Sequence, residues 1–83
     1  MSTKPIELPV ELEDLGNGRV LVYTDAMQGC LAEGDSVEDA LENVEDVARV
    51  LLELTEEFGD PVPRGMNGYR ERGFKATVQA QPA

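Results

Sequence analysis

Apolar and polar residues alternate along this chain with two different periods, and the change of period divides it into elements. In "PIELPVELED", Ile6, Leu8, Val10 and Leu12 alternate with Glu7, Pro9, Glu11 and Glu13. A period of two marks a strand with one buried face. Pro9 has no N–H to give to a ladder, which suits an edge strand or a bulge. Asn17-Gly18 comes next, a pair that tolerates positive φ and closes a tight hairpin. Val20 to Thr24 is rich in β-branched and aromatic residues and reads as the return strand. Cys30 to Glu33 reads as a brief third strand, between turns permitted by Gly29 and Gly34.

The period then lengthens. Val37, Ala40, Leu41, Val44, Val47, Ala48, Leu51, Leu54 and Phe58 recur three and four apart, the apolar stripe of a helix. Ser36 is a good N-cap, and Asp39 makes a short-armed version of the capping box. Gly59 suits the first position past the helix, with Pro61 just beyond. The helix spans about 22 residues, roughly 33 Å. "GDPVPRGMNGYRERG" reads as a loop, and "FKATVQA" returns to a period of two. There Phe74, Ala76, Val78 and Ala80 lie opposite Lys75, Thr77 and Gln79. The order β-β-β-α-β predicts an α+β fold, a small, mostly antiparallel sheet with one long helix packed on one face. It is expected to be a single domain over residues 1–83, with a core at about 6–80.

Size adds a constraint. A chain of 83 residues buries only about 60–65% of the surface its unfolded form exposes. Cys30 is the only cysteine and there is no histidine, so neither an internal disulfide nor a histidine-based zinc site can supplement the core. Association into a homo-oligomer is the economical remaining source of stability. No apolar run reaches the roughly 18–20 residues of a membrane span. The first residues carry no apolar segment like that of a secretory signal. With one unpaired cysteine, the expected compartment is the cytoplasm.

The charge of −10 is spread unevenly, with nearly all acids before Pro63 and Arg64, Arg70, Arg72 and Lys75 after it. Such a chain repels phosphate backbones, which argues against direct nucleic-acid binding. A basic protein is the natural complement, because opposite potentials steer encounter. Solubility alone is the competing explanation.

Candidate chemistry is sparse. Without histidine, neither a Ser-His-Asp nor a Cys-His arrangement can be assembled, and no glycine-rich phosphate loop precedes a helix. No enzymatic activity and no cofactor are expected. Asp35, Glu38 and Asp39 could hold a hard cation. Acids in a first helical turn are better explained by free N–H groups and the helix dipole, so no metal is expected. Cys30 reads as a small core residue. Glu45 and Arg49 form a favourable i,i+4 pair, with Arg49 also in reach of Glu53. Glu53, Glu56 and Glu57 crowd the helix end where the dipole disfavours anions. Helix stability does not account for that, whereas a partner surface or plain solvation does.

The spacing of several small motifs resembles the N-terminal domain of HicB-like antitoxins of type II toxin–antitoxin systems. The resemblance rests on Asp25, Gly29-Cys30, Gly34-Asp35-Ser36, Glu38-Asp39-Ala40-Leu41, Asn43 and Gly59-Asp60-Pro61-Val62-Pro63. It covers roughly residues 6–63. The prolines common in the family around that Asp are absent from "YTDAMQGC". Members often continue into a DNA-binding domain, which this chain is expected to lack. The resemblance implies a partial ribonuclease-H-like fold without nuclease activity. It also implies self-association and a small basic, mRNA-cleaving HicA-like toxin as partner. On this reading Gly29, Cys30, Gly34, Asp35, Ser36, Asp39, Ala40 and Gly59 are structural. Glu42, Glu45, Asp46, Glu53, Glu56 and Glu57 are the expected partner-binding acids. Two other readings stand beside it: an orphan self-associating scaffold, and a divalent-metal or residually nucleolytic protein.

Overall fold

The computed structural model describes residues 4–79. Alternation at the start builds the long strand β1 (Ile6–Gly16), and the hairpin returns as β2 (Arg19–Tyr23). Gly16, Asn17 and Gly18 take φ of 86°, 55° and 80°. Positive φ at both turn residues matches the twist of the strands they join. The chain continues through β3 (Leu31–Gly34), α1 (Val37–Glu57), a 3-10 turn (Arg64–Met66), the short helix α2 (Tyr69–Arg72) and β4 (Phe74–Val78). The sheet order is β3-β2-β1-β4. β1–β2 and β2–β3 are antiparallel and β1–β4 is parallel. The fold is α+β, a mixed and mostly antiparallel sheet with one long helix on one face.

β1 is therefore an inner strand, although Pro9 suggested an edge. It pairs with β4 over Ile6–Val10 and with β2 only from Glu11 onward. The N–H of Ile6 donates to the Gly73 carbonyl at 2.9 Å, and Gln79 N–H to the Val10 carbonyl at 3.0 Å. By alternation, Pro9 turns its missing N–H away from β4, toward the side where β2 is not yet paired. The edge expected from Pro9 is real but local.

Ala40, Val44, Ala48 and Leu52, four apart on α1, are all fully buried. They join one core with Ile6, Leu8, Val10, Val22 and Ala76 of the sheet. Two small residues in that row let the helix come close. At Gly34 a Cβ would stand 2.3 Å from the Ala40 amide nitrogen, so helix and strand backbones touch there. Gly34 serves this contact and not, as expected, a turn. Gly29, with φ of 76°, does serve one.

The third strand begins one residue later than expected, and Cys30 precedes it, its carbonyl accepting from Thr24 N–H at 3.2 Å. The segment read as loop after α1 holds two short helical turns, and its Met66 and Tyr69 are buried in the core. Turns of three and four residues are too short to show a period, so their apolar anchors looked isolated in the sequence. Ala80, expected to continue the last strand and to end the core, lies outside the described residues. Among the described residues no helix is long and apolar enough to cross a membrane.

Candidate interaction surfaces

Residues two apart on a helix point about 200° apart, and α1 uses this to hold both edges of the sheet. Asn43 Nδ2 donates to the Glu33 carbonyl of β3 at 2.8 Å. Glu45 Oε2 accepts from the Ala76 N–H of β4 at 2.8 Å. Glu45 thus serves the sheet and not the pair expected with Arg49. Arg49 binds Asp46 at 2.8 Å and lies over the Phe74 ring, 5.8 Å from its centroid.

Glu56 is also engaged within the chain. It accepts from the Tyr69 hydroxyl and from Arg70 Nε at 2.8 Å, tying α2 to the far end of α1. The Tyr69 hydrogen bond, followed by Arg70, holds the Glu56 carboxyl below the usual carboxylate range. The same bond pushes the Tyr69 hydroxyl up. Of the acids expected to bind a partner, Glu42, Glu53 and Glu57 remain exposed, and Asp46 is exposed beside Arg49.

The motif at 29–40 organises the entry to α1. Ser36 Oγ accepts from Asp39 N–H at 3.0 Å, and Asp39 reaches back to Asp35 N–H at 3.2 Å. Asp35 and Glu33 both take Arg19, at 2.7 and 3.0 Å. At the exit, Gly59 N–H donates to the Glu56 carbonyl at 3.0 Å and Asp60 N–H to Thr55 at 2.9 Å, the paired bonds of a Schellman motif. Cys30 is buried under α1 and burial pushes its thiol up, which makes it a poor nucleophile. Among the described residues no group of Cys, Asp and Glu side chains could hold a metal ion.

Two surfaces remain. One is the open face of the sheet, where the register places Tyr23 opposite Glu11, Leu21 opposite Glu13 and Leu31 opposite Tyr23. Glu11, then burial, Glu13 and Asp25 push the Tyr23 hydroxyl up.

The other surface lies along the C-terminal half of α1. Val50, Leu54 and Phe58 are 54%, 41% and 75% exposed, next to half-buried Val47 and Leu51. A shallow apolar hollow of about 290 Å³ lies against Asp46, Val47, Val50 and Leu51. Residues 47, 51, 54 and 58 repeat at steps of four, three and four, the spacing of a helix–helix seam. Asp46, Glu53 and Glu57 border it on the solvent side. Reading the stripe as one core-facing face missed this. The signal was that the apolar arc is wider than one row needs.

Comparison with family models, with curated proteins and with solved structures returns no match.

Proposed function

We propose that this chain is an acidic, non-catalytic binding module of the antitoxin type. It captures a small basic mRNA-cleaving protein, HicA-like in kind, in the cytoplasm. The observation that carries the reading is the bare apolar row Val50, Leu54 and Phe58 bordered by Asp46, Glu53 and Glu57. An apolar centre with an acidic rim is complementary to a basic amphipathic surface. Surplus negative charge speeds the encounter and competes with RNA phosphate for the partner's cations. The HicB-like motif spacing supplies the partner class. Relative to that first expectation, the binding acids narrow to Asp46, Glu53 and Glu57, with Glu42 as outlying charge: Glu45 and Glu56 are committed inside the chain, whereas Asp46 stays 72% exposed beside Arg49.

The test uses a small basic ribonuclease of the HicA-like kind, titrated with wild type and two variants. Leu54→Ser/Phe58→Ser should weaken binding at least ~30-fold, the effect of losing a hot spot of about 2 kcal/mol, and restore RNA cleavage. Asp46→Lys/Glu53→Lys/Glu57→Lys should slow association and flatten its salt dependence. Unchanged affinity at low salt in both variants contradicts the reading. The self-associating scaffold is favoured by a separate feature, the outer edge of β4.

A further inference from the structure

We propose that β4 pairs antiparallel with β4 of a second copy of this chain, about a two-fold axis at Ala76. This interface does not rest on the toxin-binding reading, and it shares Glu53 but none of the apolar row with the α1 flank.

β4 is an outer strand. Its bonds to β1 run through Gly73 and Gln79, so alternation assigns Gly73, Lys75, Thr77 and Gln79 to that ladder. The N–H and C=O groups of Phe74, Ala76 and Val78 point outward. Among the described residues, Glu45 is the one side chain that meets this outward row, at Ala76 N–H. An edge of this kind is a template for a further strand. With Ala76 opposite its own copy, Phe74 faces Val78 of the second copy and each pair exchanges both backbone bonds. The carbonyl of the second Ala76 then takes the place of the Glu45 carboxylate.

The side chains fit the same axis. Phe74, Ala76 and Val78 share the helix side of the sheet. Val78 is 39% exposed within one copy. Directly opposite Phe74 it gains an aromatic/β-branched cross-strand pair.

Charge fits it too. α1 runs against the direction of β4, with Glu45 at Ala76 and Arg49 at Phe74. Two hollows lie beside the strand, one lined by Glu38, Leu41, Glu42, Glu45 and Lys75, the other by Arg49, Glu53, Tyr69 and Arg70. Arg49 and Arg70, although paired with Asp46 and Glu56, keep side chains 51% and 59% exposed. A two-fold axis at Ala76 lays the acidic end of one copy against the arginine end of the other. The edge is self-complementary, which is what an isologous interface requires. A second copy therefore satisfies backbone, packing and charge together.

The test is sedimentation equilibrium of the whole chain from micromolar to millimolar concentration, combined with amide hydrogen exchange. A reversible dimer is expected, in which the Phe74 and Val78 amides gain protection as concentration rises. Val78→Pro removes an N–H from the outward row only and should give a monomer with unchanged helical circular dichroism. Val78→Lys, which keeps the backbone intact, should weaken the dimer at least tenfold and decides the matter if the proline variant does not fold. Leu54→Ser/Phe58→Ser should leave the dimer intact, which separates this surface from the α1 flank. A chain that stays monomeric at millimolar concentration overturns the proposal. So does a dimer whose Phe74 and Val78 amides exchange as fast as in dilute solution, or one that both folded Val78 variants leave unchanged.

Discussion

Ala40, Val44, Ala48 and Leu52 on one side of α1, and Val50, Leu54 and Phe58 on the next, have the same helical spacing and opposite fates. The first row is fully buried, and the second is 41–75% exposed. Size explains part of the difference. The inner row is built of small and medium side chains, so the helix backbone comes within contact of Gly34. The outer row is larger, and the four-residue β3 offers no sheet beneath it. Apolar periodicity says which side of a helix avoids water; it does not say how much of that side its own domain covers. The uncovered part is where a partner gains most.

Stability measurements should separate the rows. Leu52→Ala should cost about 2–5 kcal/mol in urea unfolding, since it empties a fully buried site. Gly34→Ala should cost about 1–3 kcal/mol by forcing strand and helix apart. Ser36→Ala should cost about 1 kcal/mol through loss of the cap on Asp39 N–H. In the outer row, Leu54→Ser and Phe58→Ser should each stay within about 0.5 kcal/mol. A large loss there would mean that the row is part of the core after all.

The tie between α1 and α2 gives a pH signature at the end of the outer row. The Glu56 carboxyl is held low by Tyr69 and Arg70, so its contribution is full above the ordinary carboxylate range. It fades as pH falls through the lowered value. Glu56→Gln should therefore narrow the stability gap between neutral and acidic pH, measured as melting temperature across that range. A gap as wide as in wild type would show that Glu56 does not carry it.

Long periodic segments made much of this fold legible in the sequence. β1, the Asn17-Gly18 hairpin, the Ser36 cap and the Gly59 exit all form where local chemistry places them. What escaped depended on how the elements pack and register against one another. Pro9 is tolerated inside the sheet because β2 pairs only from Glu11, a matter of register. Gly34 answers to Ala40 across the helix–strand contact. Met66 and Tyr69 join the core from turns too short to carry a period. The candidate site was half legible: the acids were visible, yet the sequence could not tell Glu45 and Glu56, which bind their own chain, from Glu53 and Glu57, which face solvent. That division needs the position of β4 and α2 beside the helix.

The outer row of α1 is proposed as the docking face for a basic partner. Amide chemical-shift mapping of the labelled chain, titrated with a small basic HicA-like ribonuclease, is the direct test. Perturbations are expected to concentrate at Asp46–Phe58 and to be absent from the sheet face around Tyr23. Perturbations centred on Glu11, Tyr23 and Leu31, with Leu54 and Phe58 unmoved, would contradict it.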